Sequence, residues 1–81
     1  MATVEDVRAR KKIRGEFTKR MIDITALDLQ VMHGVVYLRG VIKPIKGGPT
    51  DLKSELELIS RIIINAGLAK DVIIMCTVRG G

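Results

Sequence analysis

A short connection, His33-Gly34, joins two segments with the pattern of β-strands, and these segments constrain the fold more than any other part of the chain. We predict strands over residues 24–32 and 35–42, because apolar and polar residues alternate there as in half-buried strands. Glycine at Gly34 suits the positive φ of a tight hairpin turn. Gly40 lies inside the second strand, where a glycine indicates a bulge or a close approach of backbone. The sequence therefore predicts an antiparallel β-hairpin.

A first helix is predicted over residues 4–21, ahead of the hairpin. Thr3 and Asp6 have the spacing of a capping box, in which two side chains satisfy free backbone N–H groups at the start of a helix. Apolar residues recur every four positions and form one stripe that can pack on a sheet. The residues of this stripe are Ala9, Ile13, Phe17 and Met21.

A second helix is predicted over residues 51–66, with Thr50 as its N-cap. Its apolar residues follow spacings of four and three, which is the period of a buried helix face. Gly67 ends this helix, since glycine is favoured in the left-handed position after a helix. An apolar segment over residues 72–78 then predicts a third strand. The buried face consists of Leu52, Leu56, Ile59, Ile63 and Ala66, widened by Leu58 and Ile62.

These elements predict an α+β fold for a single domain of residues 1–81, in the order α-β-β-α-β. The second and third strands should be parallel, because a helix connects them, so the three-stranded sheet is mixed. Both helices pack on one face of the sheet, and the other face stays open. The open face would be a surface for a protein partner or a homodimer. Its residues are Tyr37, Arg39, Ile73 and Met75.

The segment Val31-Met-His-Gly-Val-Val-Tyr-Leu-Arg-Gly-Val41 resembles the signature of the BON domain family. The resemblance covers residues 22–78 and includes Ala66-Gly67-Leu68 at the end of the second helix and the last strand. It implies the α-β-β-α-β fold and structural roles for Gly34 and Gly40. It also implies binding to phospholipid membranes or to ligands at the bacterial cell envelope, and it brings no catalytic residue.

Positive charge is concentrated in the first helix. The chain has a net charge of +5. Residues 8–20 contain seven basic residues and one acidic residue. This asymmetry favours an anionic partner, either a phospholipid surface or a nucleic acid backbone, although a solvated helix face has the same appearance. Few aromatic side chains are present to stack on bases, which leaves phosphate contacts alone for a nucleic acid. The predicted anion-binding residues are Arg8, Lys11, Lys12, Arg14 and Lys19.

Candidate catalytic and metal-binding residues are few. His33 is the one histidine and is expected to be an exposed turn residue, whereas Cys76 is expected to be a buried thiol. Ser54 and Ser60 lie in a helix without the motif of a nucleophile. We therefore expect no enzymatic activity, no metal and no cofactor, and, without a signal peptide or membrane span, a cytoplasmic protein. The predicted function is a binding module for an anionic surface such as phospholipid, with nucleic acid binding or homodimerisation as alternatives.

Overall fold

The computed structural model describes residues 4–79. Two helices and five strands follow one another in the order α-β-β-β-α-β-β, which confirms the predicted α+β class and corrects the number of strands. The capping role predicted for Thr3 lies outside the described residues. The elements are α1 (Val4–Lys19), β1 (Ile22–Asp23), β2 (Leu27–Met32), β3 (Val35–Pro44), α2 (Leu52–Asn65), β4 (Asp71–Ile74) and β5 (Thr77–Val78).

Strand β3 is the centre of the sheet, and every other strand pairs with it. Strands β1 and β2 pair with β3 in antiparallel orientation, as the predicted hairpin requires. Strands β4 and β5 pair with β3 in parallel orientation, as predicted for strands that a helix connects. The two parallel strands share one register, so β4 and β5 are a single line of chain interrupted at residues 75–76.

The prediction of three continuous strands is wrong. Residues 24–26 of the first predicted strand separate β2 from the additional strand β1, and residues 75–76 of the last predicted strand separate β4 from β5; both breaks lie beside Gly40. If the register of β1 with β3 continued along the chain, Ala26 would lie opposite Gly40. The observed partner of Gly40 in β2 is Leu27, so the chain between β1 and β2 contains one extra residue, as in a β-bulge. Gly40 has φ 96°, far from the extended conformation. Its peptide groups therefore no longer point along the hydrogen bonds between the strands. The interruption between β4 and β5 faces the same part of β3.

Gly40 is also a point of close backbone approach, as the sequence predicted. A Cβ atom at this position would overlap the carbonyl oxygen of Ala26. The same carbonyl accepts a hydrogen bond from the N–H of Val41 at 3.1 Å, which holds it against the glycine. The space left by the missing side chain is thus filled by backbone.

The β2–β3 turn has positive φ at both central residues, His33 at 52° and Gly34 at 78°. This is the backbone of a type I′ hairpin turn, whose twist matches that of the flanking strands. The buried carboxylate of Asp6 accepts hydrogen bonds from the N–H groups of His33 and Gly34, at 3.1 and 3.3 Å. The turn is thereby attached to the first helix.

Both helices pack on the same face of the sheet, and their buried side chains share one core with that face. Met21 is 42% exposed, contrary to the prediction, because α1 ends at Lys19 and Met21 adopts a positive φ. Leu58 is 43% exposed and Ala66 is also exposed, so the buried face of α2 is narrower than predicted. The largest fully buried side chains are Phe17, Ile13, Ile22, Leu38, Ile42, Leu52, Ile59, Ile63 and Val36.

Helix α2 has a different N-cap from the predicted Thr50. The carboxylate of Asp51 accepts hydrogen bonds from the backbone N–H and the hydroxyl of Ser54, at 3.2 and 2.8 Å. At the other end, the N–H of Leu68 donates to the carbonyl of Ile63 at 3.0 Å, and Gly67 lies between the helix and this residue. This arrangement is a Schellman motif and confirms the predicted role of Gly67 in ending the helix.

The Asp51 cap makes stability depend on pH. Hydrogen bonds from the side chain and then the backbone of Ser54 hold the pKa of Asp51 below its usual value. A carboxylate with a lowered pKa in the folded state stabilises the protein above its unfolded-state pKa, and this contribution is lost as the pH falls through the folded-state pKa. We expect the urea midpoint of the wild type to exceed that of Asp51→Asn at neutral pH and to approach it below about pH 4. Asparagine still caps the helix but does not titrate, so parallel pH profiles would contradict this assignment.

Neither helix between residues 4 and 79 combines the length and the apolar character needed to cross a bilayer.

Candidate anion-binding surface

Helix α1 is oriented by its apolar residues. Ala9, Ile13 and Phe17 are buried against the sheet, and residues between them project to solvent because the helix repeats every 3.6 residues. All five residues predicted to bind an anion are exposed on this solvent side. We refer to them as the α1 basic face: Arg8, Lys11, Lys12, Arg14 and Lys19.

Arg20 is not counted in the α1 basic face, because its side chain forms ion pairs. Its guanidinium contacts the carboxylates of Glu16 and Glu55, each at 3.1 Å, and so connects α1 to α2. These are the ion pairs formed within residues 4–79. The side chains of the α1 basic face are therefore available to a partner without the loss of an ion pair in this part of the chain.

Exposed aliphatic side chains lie among these cations. Val4 is 72% exposed and Val7 is 58% exposed, both on the solvent side of α1. Val7, Arg10, Lys11 and Arg14 line a shallow depression of about 330 Å³. Arg10 is not among the residues predicted to bind an anion, although its place within the basic segment was a usable signal. The surface is thus cationic and partly apolar.

A second depression lies at the end of the molecule where α1 begins. It has a volume of about 700 Å³ and is formed by the start of α1, the β2–β3 turn and the loop before β4. We call it the end groove. The charged and turn residues that line it include Glu5, Arg8, Lys12, His33, Gly34 and Lys70.

Lys70 belongs to the end groove through contacts that its sequence position does not indicate. Its backbone N–H donates to the carbonyl of Gly34 at 2.7 Å. A Cβ atom at Gly34 would lie 3.4 Å from the Cε and Cγ atoms of Lys70. The side chain therefore extends across the β2–β3 turn. No sequence signal places Lys70 beside α1, because the two segments are far apart in the chain.

The residues predicted for the open sheet face lie on the side of β3 opposite the core. Tyr37 pairs with Gln30 of β2 and with Ile73 of β4, so an aromatic ring, an amide and an aliphatic side chain are neighbours. Arg39 pairs with Asp28. Met75, in the interruption before β5, is 49% exposed. Polar partners therefore divide the apolar area of this face.

The side chains of His33 and Cys76, which could act as a base or a nucleophile, lie in different parts of the structure. His33 is exposed in the β2–β3 turn, as predicted. Cys76 is half-buried, not fully buried as expected, and burial raises the pKa of its thiol, which disfavours the nucleophilic thiolate. Between residues 4 and 79, no three histidine, cysteine, aspartate or glutamate side chains are grouped to hold a metal ion.

No family model, curated protein or solved structure matches the chain. The resemblance to the BON family over residues 22–78 therefore stays a prediction from the residues themselves.

Proposed function

We propose that the protein is a non-enzymatic binding module of BON-like type that attaches to anionic phospholipid surfaces through the α1 basic face. The observation that carries the proposal is the set of exposed cations on one side of α1, which form no ion pair within the described chain. Each basic side chain near an anionic bilayer contributes about 1 kcal/mol of attraction, so five of them suffice for reversible binding.

The exposed valines favour a lipid surface over a nucleic acid backbone. Val4 and Val7 lie on the same side of α1 as Lys11 and would enter the boundary between headgroups and acyl chains while the cations contact phosphates. A nucleic acid backbone presents phosphates and sugars and gives these side chains no apolar environment. Base stacking is also disfavoured, because the chain has one tyrosine, one phenylalanine and no tryptophan.

Removing two cations of the α1 basic face tests the proposal. We expect Lys11→Gln/Arg14→Gln to bind phosphatidylserine-containing vesicles about 30-fold more weakly than the wild type at low salt, since two contributions of about 1 kcal/mol are lost. Sedimentation with vesicles measures the bound fraction. Both positions lie outside the end groove, so this experiment reports on the α1 basic face.

A second double variant provides the matched control. Lys53→Gln/Arg61→Gln removes the same charge from exposed positions of α2 and should bind vesicles nearly as well as the wild type. Equal weakening of the two double variants would mean that net charge alone causes binding. If equal amounts of the wild type stay in the supernatant with anionic and with neutral vesicles, an anionic lipid surface would be excluded as the partner. Tighter binding to duplex DNA than to vesicles at the same salt would favour the nucleic acid alternative.

A further inference from the structure

The end groove is an open depression lined by three cationic side chains. Its volume of about 700 Å³ is in the range of ligand pockets, and three separate segments of the chain form its walls. We propose that the end groove binds a phosphomonoester group, carried by a soluble metabolite or by a lipid headgroup. This inference does not depend on membrane binding by the rest of the α1 basic face.

Three cationic side chains line the end groove, two from α1 and one from the loop before β4. Arg8 and Lys12 are four residues apart on α1 and therefore project from the same side of the helix. Lys70 comes from the loop before β4. The terminal oxygens of a phosphomonoester number three, so each cation has an oxygen to contact, and the planar guanidinium can contact two. A phosphodiester offers one terminal oxygen fewer.

The walls of the groove are held in a defined relation to one another. Asp6 of α1 accepts hydrogen bonds from the backbone of the β2–β3 turn, and Gly34 of that turn accepts one from the N–H of Lys70. The chain of contacts therefore runs from α1 through the turn to Lys70. A site whose backbone walls are fixed before binding loses less conformational entropy when the ligand binds.

Glu5 carries a negative charge that would repel the proposed phosphomonoester, so the removal of this charge gives a further test. It lines the groove with Asp6, and the three cations outnumber these two acids by one. The carboxylate of Asp6 is occupied by N–H groups of the turn, whereas Glu5 is exposed. We expect Glu5→Gln to bind a phosphomonoester several-fold more tightly, because an exposed repulsive charge is removed.

A titration with glycerol 3-phosphate, followed by ¹H–¹⁵N spectra of the full chain, tests the proposal. We expect saturable shifts of the Gly34, Gly67 and Lys70 amides, which line the groove or its rim. Lys70→Gln should weaken binding about tenfold, as expected for the loss of a hydrogen bond to a charged group. Lys53→Gln removes an equal charge from α2, outside the groove, and should leave the affinity unchanged.

Vesicles identify the source of the phosphate. Binding to phosphatidic acid that weakens in Lys70→Gln, with no such dependence for the diester phosphatidylglycerol, would assign a lipid headgroup. Dependence on Lys70 with glycerol 3-phosphate alone would assign a soluble ligand. The proposal is overturned if neither monoester depends on Lys70, or if Lys53→Gln weakens binding as much. A wild type that ignores phosphatidylserine vesicles but binds glycerol 3-phosphate would contradict only the membrane function.

Discussion

Replacing Phe17 by alanine is expected to lower the free energy of unfolding by about 4 kcal/mol. Phe17 has 0% of its surface exposed and lies where α1 packs against the sheet. The change removes a large apolar surface from the core and leaves a cavity that its neighbours fill only in part. Tyr37, the other phenyl ring of the chain, lies on the opposite face of the sheet and does not fill that space. Urea unfolding followed by circular dichroism measures the effect.

Two further variants keep this prediction falsifiable. Phe17→Leu retains most of the volume and should lose less than half as much stability as Phe17→Ala, so it can be measured if the alanine variant does not fold. Val7→Ala shortens an apolar side chain of the same helix that is 58% exposed, and its effect should stay within about 0.5 kcal/mol. Equal losses at Phe17 and Val7 would contradict the orientation of α1.

Adding a single methyl group at Gly40 is expected to lower the free energy of unfolding by about 3 kcal/mol. Two costs combine in Gly40→Ala. The φ of 96° is unfavourable for any residue with a Cβ atom, and this atom would overlap the carbonyl oxygen of Ala26. The obstacle is backbone of the connection between β1 and β2, so relief requires movement of this segment rather than a change of rotamer. Urea unfolding measures this loss as well.

Gly15→Ala is the matched control for Gly40→Ala. Gly15 lies in the exposed part of α1, and a Cβ atom there would meet no atom within 4 Å. Alanine is favoured over glycine inside a helix by about 1 kcal/mol, so this variant should be more stable than the wild type. The same methyl group should therefore have opposite effects at the two glycines. A gain of stability in Gly40→Ala would contradict the close approach of Ala26.

Short-range patterns in the sequence were enough to predict the hairpin, the two helices and the charged side of α1. The turn at Gly34 follows from local backbone preference, and the exposure of Lys11 follows from the position of Phe17 in the helical repeat. The end of α2 at Gly67 is likewise a local property of glycine. In each case the deciding interactions join residues only a few positions apart, so the sequence alone contains the information.

The tertiary structure decided what depends on contacts between distant segments. The interruptions opposite Gly40 arise where three strands meet, Arg20 is neutralised by Glu55 of the other helix, and Lys70 reaches the groove beside Arg8. The periodicity of apolar residues does not predict these contacts, because it shows which side of an element a residue occupies and not which element lies beside it. The sequence by itself determined the two helices, the hairpin and most of the buried positions; packing determined where the strands are interrupted, which charges are paired and which segments line the same groove.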